Sequence, residues 1–422
     1  MFHHVRKGIR MRFSKVFALA LAGGCMAPAM AQYSTVNGCD RSYAFRADVG
    51  TNVGQQLCAS SSDVFIDAVR NFTLSNLGYT QTSPANVQGR FNDVGVFINY
   101  ASNSRTLTYN FPELGISGQF TGSSRDDSEE QFVDFVKKSD LIGKIMNYQA
   151  MHSATSAITG MGGAIPMAGQ ADFAASFDPM SQIVSGPAGM DTGTNNLIGV
   201  GLGYSSFNID GSADRVRSTT LPLSYTIRND IDPRRQLVFA LPLALVKVGE
   251  ADTYHGGFGI SYRYPMTDRW TLTPGGKYSV VASKDRATVS TIASASLMST
   301  YVFALGGNQA IAVGNMLGYY KTGKFSSRDF SFDPDIALTM ARNGIMYSMP
   351  TTMMGGKMAA EFSLIDTRYL GDKPFVDNTQ EIGVTVGTNR NAANARSFVR
   401  GGLSYIHGKA TKGVTVNIGY WF

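Results

Sequence analysis

The chain has 422 residues, with 37 bases and 31 acids. Residues 1–31 hold five of the bases (Arg6, Lys7, Arg10, Arg12, Lys15) and no acid, so the remainder sets 32 bases against 31 acids, a net charge near +1. That balance leaves no basic footprint for nucleic acid, and no apolar stretch after residue 31 is long enough for a membrane-crossing helix.

The first element in chain order is "MRFSKVFALALAGGCMAPAMAQ". Arg12 and Lys15 precede an apolar run from Val16 to Ala22, and Ala29-Met30-Ala31 precede Gln32. This charged, apolar and small-residue order predicts a secretory signal peptide over 1–31, cleaved after Ala31. Cys25 follows "LAGG", but Ala22 stands where a lipid-anchor site has a large aliphatic residue. Beyond the signal only Cys39 and Cys58 remain. In an exported chain, with no second ligand pair beside them, they predict a disulfide rather than a metal site. His3, His4, His152, His255 and His407 are scattered without metal-ligand spacing, so no metal or cofactor is expected.

Residues 32–153 read as a small α+β module. "SDVFIDAVRNFTLSNL" has helical spacing behind Ser62 as N-cap. "GVFINYA", "RTLTYNF" and "GISGQFT" predict three short strands. "SEEQFVDFVKKSDLIGKIMNYQ" predicts one helix, opened by Ser128 and Gln131 at capping-box spacing. Residues 154–195 are rich in Gly, Ala, Met and Pro and read as a linker.

From Asn196 onward, alternating segments separated by turn residues predict twelve strands. They begin near 196, 215, 236, 255, 270, 289, 309, 336, 357, 379, 395 and 411. "GFGISYRYP" sets Phe258, Ile260, Tyr262 and Tyr264 against Gly257, Gly259, Ser261 and Arg263. A soluble sandwich or lipocalin-like barrel also alternates. Aromatic strand ends and a succession of hairpins to the last residue favour an all-β antiparallel transmembrane barrel. The connections fall into two sets. "NDIDPRR", "YPMTDRW", "LGGNQ" and "NRNAANAR" predict short periplasmic turns; "KVGEADTYHG", "KTGKFSSRDFSFDPD" and "DTRYLGDKPFVDN" predict longer outer loops. Even strand number then puts both barrel ends, and with them the module, on the periplasmic side. A turn centred near "NRNA" would place Glu381 opposite Arg400 as a lumen charge pair.

The chain closes on "VTVNIGYWF", with Val414, Val416, Ile418, Tyr420 and Phe422 on one strand face. This ending resembles the outer-membrane β-barrel proteins of Gram-negative bacteria. The resemblance implies that these five residues form the signal read by the barrel-assembly machinery. The layout of signal, module, linker and C-terminal barrel also resembles an autotransporter. It departs from that family in lacking a repetitive passenger, and in a cysteine loop that would resist threading.

The twelve-strand outer-membrane phospholipase needs an oriented Ser/His pair. "YTQTS", "YHGGFG", "YIHGK" and His152-Ser153 do not supply one, so no catalytic residue and no enzyme activity is expected. "GMGGAIPMAG" lacks the strand and the Lys-Ser/Thr of a phosphate loop. The expected function is a non-enzymatic envelope protein that anchors its module through an outer-membrane barrel. Its expected partners are outer-membrane lipid, the barrel-assembly machinery and an unidentified ligand of the module, with no nucleic acid. A small-solute channel, autotransporter-like display and an esterase are the alternatives.

Overall fold

The computed structural model describes residues 38–65, 77–177, 196–232, 234–326, 331–352, 358–388 and 398–422. The signal peptide with Cys25, residues 178–195 of the expected linker and the "NRNA" turn lie outside the described residues.

The module is a two-layer α+β unit. Strands β1 (Tyr43–Val49), β2 (Asn52–Val53), β3 (Leu57–Ala59), β4 (Ala85–Phe91), β5 (Val94–Tyr100), β6 (Thr106–Phe111) and β7 (Ile116–Thr121) form one antiparallel sheet. Its order is β2-β1-β4-β5-β6-β7, with β3 beside β1. One face packs Val94, Leu107, Tyr109 and Phe111 against α1 (Arg125–Lys138) and α2 (Leu141–His152). The last three strands match their sequence expectation, whereas β1 and β4 carry no clean alternation. The expected helix is seen only at its start, over 62–65, and its cap is Ser61 rather than Ser62, since Ser61 Oγ accepts from the Val64 N–H at 3.3 Å.

The expected single helix is two. α1 begins at Arg125, and its cap is Ser124, whose hydroxyl accepts from the Asp127 N–H at 3.2 Å. Ser128 lies inside the helix, bonded to the Arg125 carbonyl at 2.7 Å. The capping-box reading therefore fails by one turn, because Ser124 is an equally good cap further upstream. The chain breaks at Ser139-Asp140, where the extended backbone of Ser139 separates α1 from α2.

The barrel holds twelve strands: β8 (Asn196–Ile209), β9 (Val216–Arg228), β10 (Gln236–Val248), β11 (Ala251–Pro265), β12 (Trp270–Ser283), β13 (Thr288–Leu305), β14 (Gln309–Gly323), β17 (Ala337–Thr351), β18 (Met358–Gly371), β19 (Asn378–Thr388), β20 (Phe398–Gly408) and β21 (Thr411–Trp421). Each begins within four residues of its expected start. A small hairpin, β15 (Phe325–Ser326) and β16 (Ser331–Phe332), stands in the connection before β17. All barrel neighbours are antiparallel, and β21 pairs with β8 from Trp421↔Gly199 to Thr411↔Ile209, closing the sheet. Closure leaves no edge strand, so the ladder N–H and C=O groups find their partners within the wall, as hydrocarbon requires. Ile198, Leu202, Phe258, Leu317, Leu364, Ile382 and Leu403 point outward and are 45–63% exposed. An apolar exterior of that extent is a lipid-facing surface. It is interrupted on β14 and β17, where outward-facing Asn315 donates to Asn343 Oδ1 at 2.7 Å, pairing the two amides with each other.

Asn196 and Phe422 lie at one end of the barrel, here the terminal end. The other is the capped end, because the module sits on it. The Ser62 N–H donates to the Asp285 carbonyl at 2.5 Å, and Ser60 Oγ donates to Asp214 at 2.9 Å. Asn92 Nδ2 donates to the Arg286 carbonyl at 2.9 Å and Asn147 Nδ2 to the Pro334 carbonyl at 2.8 Å. The expectation that the module shares an end with the barrel's termini is thus corrected.

Of the three predicted long loops, "KTGKFSSRDFSFDPD" is long and the other two are corrected, because strands run through most of them. At the capped end β10 and β11 are joined through Gly249-Glu250 alone, since the strands run through most of "KVGEADTYHG". Only the connection from β14 to β17 is long, and it carries the small hairpin.

Candidate functional site

The lumen is where the sequence reading and the structure diverge most. Residues 154–177, expected to be linker, leave α2 at the capped end and descend inside the barrel. Ser153 to Pro166 are all buried. A chain of tight bonds folds the segment on itself: Met161 N–H to Ala154 C=O at 2.9 Å, Ala164 N–H to Ala157 C=O at 3.0 Å, and Thr159 Oγ1 to Ala150 C=O at 2.7 Å. Gly162 adopts φ +75° against Val216 and Val246, a conformation that L side chains rarely reach. α3 (Ala164–Ser176) follows, with Pro166 in its first turn, where no helical N–H is lost.

α3 fits because the wall makes room for it. Ile165, Phe173 and Phe177 pack with inward Ile292, Met298, Met316, Met340 and Ile365. A Cβ on Gly314 would stand 2.6 Å from Phe177 Cδ2, and one on Gly344 would stand 2.8 Å from Phe173 Cζ. On the helix, a Cβ at Gly169 would meet Met340 Sδ at 2.2 Å. Glycine on both surfaces therefore sets how closely helix and wall approach. The methionines fill the irregular remainder.

Polar contacts fix the helix rotationally. Asp172, the single charge of α3, accepts from Lys277 of β12 at 2.6 Å, with the two side chains 20% and 5% exposed. Lys277 also donates to the Ala168 carbonyl at 3.3 Å, and Thr300 Oγ1 to the Ser176 carbonyl at 3.4 Å. Arg263 donates to the Ala175 carbonyl. Arg342 lies 5.1 Å from the Phe173 ring centre.

The predicted charge pair is corrected. Glu381 and Arg400 both face the lumen, since Ile382 and Val399 beside them point outward. Their strands, however, pair as Glu381↔Ile406 and Gly387↔Arg400. Glu381 accepts instead from Arg342 at 2.6 Å, and Arg400 donates to Glu361. Sequence reasoning missed Arg342 and Glu361, which had no signal beyond an inward charge on each of two strands.

Cys39 and Cys58 form the expected disulfide, with Cα atoms 5.8 Å apart. Val414, Val416, Ile418, Tyr420 and Phe422 form one outward row, each 44–56% exposed. His152 stacks on Tyr148 and sits 2.9 Å from that residue's carbonyl through Nδ1. Ser153 Oγ is 2.9 Å from Thr155 Oγ1.

The junction between module and plug is a buried polar network. Arg286, in the turn after β12, donates to the Thr155 carbonyl, and Tyr43 donates to Asn92 at 2.6 Å. Burial pushes the Tyr43 phenol well above its usual value. Tyr100, beside Ser128 at 2.7 Å, is pushed up to about 12, chiefly by desolvation.

This architecture defines a class: a closed antiparallel outer-membrane-type barrel plugged by its own preceding helix. The chain is similar to the β domain of the Bordetella autotransporter Brka, with 12% identity over 54% of this chain and 99% of that one, at a TM-score of 0.44. It is similar to the translocator domain of autotransporter NalP from Neisseria meningitidis, with 12% identity over 61% and 98%, at a TM-score of 0.43. It is also similar to the KdgM porin in complex with disordered oligogalacturonate, with 10% identity over 53% and 98%, at a TM-score of 0.33. No protein family and no curated protein matches the chain.

Proposed function

We propose that this chain is a non-enzymatic outer-membrane anchor that holds its N-terminal module at the outer face through a lumen filled by its own helix. The observation that carries the reading is the course of the chain. The module sits on the turns around Asp214, Lys284-Asp285-Arg286 and Pro334, while β8 starts at the opposite end. Phe177 lies against Gly314, nearer that terminal end, so 153–177 runs lengthwise through the barrel.

In an outer-membrane barrel of even strand number both termini face the periplasm. The capped end is then outermost, and the module is displayed rather than retained. The exterior supports this orientation. On β21 the apolar row from Val414 to Phe422 occupies the terminal side and gives way to Lys412 towards the capped end. The buried plug weighs against an open small-solute channel.

An epitope inserted at Asn103, in the exposed turn between β5 and β6, tests the orientation. Antibody added to intact cells should bind it, and added protease should remove it. Labelling only after the outer membrane is permeabilised would return the module to the periplasm.

A further inference from the structure

The barrel exterior near the capped end carries a border of bases. On β10 the apolar outward row ends at Leu245 and Lys247 follows; on β14 it ends at Tyr319 and Lys321 follows. On β21 it ends at Val414 with Lys412 beyond, and on β9 Arg217 stands at the same border. On β9 and β10 the register makes neighbours of two like charges. Lys247 lies directly opposite Arg217. Like charges across a strand pair destabilise a sheet unless a counter-charge joins them. Asp252 serves Lys247 at 3.2 Å. Arg217, Lys321 and Lys412 are exposed and make no ion pair among the described residues.

The terminal end differs. There Arg234 is held between Asp232 at 2.9 Å and Asp268 at 2.8 Å, and Arg235 lies 3.9 Å from Asp232. Arg234 and Arg235 thus have acids of their own, and Arg269, in the turn before β12, is the exposed base there without an ion pair among the described residues. The unpaired bases at the capped end sit one outward position beyond the apolar belt on β14 and β21 and two beyond it on β9, at the depth of membrane head groups. We propose that Arg217, Lys321 and Lys412, with Lys247, form a docking band for the phosphate groups of anionic lipid in the leaflet nearest the capped end. The inference rests on the outer-membrane reading and gives the barrel a preferred leaflet chemistry.

The test uses the full chain, purified and delipidated in detergent, with native mass spectrometry counting retained lipid. The probes are phosphatidylglycerol, phosphatidylcholine and inorganic phosphate. Phosphatidylglycerol should be retained and released by salt, whereas phosphatidylcholine and phosphate alone should not compete. In the triple variant Arg217→Gln, Lys321→Gln, Lys412→Gln, each lost base should lower apparent affinity about fivefold. Arg235→Gln at the terminal end, where Asp232 already faces the base, should leave retention unchanged, and heat-modifiable mobility should confirm that every variant is a folded barrel. Equal retention of both lipids, or full retention by the triple variant, overturns the proposal. Displacement by inorganic phosphate alone would reassign the band to soluble anions. A wild-type chain that is absent from outer-membrane fractions would instead sink the functional reading.

Discussion

Arg342 and Glu381 meet at 2.6 Å inside the barrel although β18 lies between their strands. Arg400 and Glu361 repeat the arrangement one strand further on, across β19. Inward side chains on alternate strands converge as the wall curves, so long side chains reach past the intervening strand. Each pair therefore staples three strands rather than two. Arg342 also donates to Thr367 Oγ1 of β18 at 2.8 Å, tying the middle strand into the staple.

The first prediction follows from burial. The Arg342 and Glu381 side chains are 5% and 16% exposed. Glu381→Ala strands the guanidinium without its counter-charge and should destabilise the barrel by about 3–5 kcal/mol. The pair Arg342→Met with Glu381→Leu should recover most of that loss. Urea midpoints of refolded protein measure both, and a single variant as stable as the wild type would count against the staple.

A second prediction concerns the plug. Gly344→Val puts new atoms where Phe173 and Phe177 sit, since even a Cβ would come within 2.8 Å and 3.2 Å of them. The helix should be displaced while the wall still closes. Single-channel conductance should rise from near silence to discrete openings, and Phe173→Ala added to Gly344→Val should reduce them by restoring the fit. Conductance unchanged by both Gly344→Val and deletion of 164–177 would show that α3 does not obstruct the lumen.

The barrel was legible because a lipid-facing wall must alternate at every residue, and "GFGISYRYP" or "NLIGVGLGY" records that rule directly. The inward face of Glu381 and Arg400 was legible for the same reason. Their partners were not: the period of two survives any even shift in register, so Arg400 could stand opposite Gly387 without leaving its face. The plug was missed because it has no stripe. Apart from Gln170 and Asp172, "AIPMAGQADFAAS" is apolar or small on every side, as a helix surrounded by protein should be. Read as composition, that pattern is indistinguishable from a linker.

The third prediction is that Cys39 and Cys58 stay linked in protein purified from the envelope, recovered as one cross-linked peptide pair. Their sequence separation is 19. Cys58→Ser should lower module stability by about 3 kcal/mol in the chain-entropy account. The effect should be read as faster proteolysis of 38–121, with the heat-modifiable barrel unchanged. Two freely alkylated thiols in the native protein would rule the disulfide out.

Alkaline pH should loosen the module before the barrel. Tyr100 ionises at an ordinary 10.0 when unfolded and at about 12 when folded, because burial disfavours the phenolate. A raised folded value means that its contribution is complete below pH 10 and is lost as pH climbs towards 12. Tyr43 shifts in the same direction. Near-UV circular dichroism of the folded chain should therefore fade across that window. Tyr100→Phe should make the fade shallower without abolishing it, since Tyr43 still titrates. An identical profile for the variant would remove Tyr100 from the explanation.

The last prediction separates two roles of Phe422. Its ring stacks on Tyr420 at 5.5 Å and ends the outward row of β21. Its backbone does something different. The Phe422 N–H donates to the Ile198 carbonyl at 3.1 Å, and the Ile198 N–H donates to the Phe422 carbonyl at 2.9 Å. These two bonds lie at the β21–β8 seam, the last pairing needed to close the sheet. Deleting Phe422 removes ring and bonds together, leaving Ile198 with an open donor and acceptor at the membrane boundary. Phe422→Ala removes the ring alone. If the aromatic end is what the assembly machinery reads, both variants should fail to insert in cells and be degraded after export. In refolding from urea into detergent, where no machinery acts, Phe422→Ala should close almost as well as the wild type and only the deletion should be impaired. Normal insertion of Phe422→Ala in cells would reduce the residue to its backbone role at the seam.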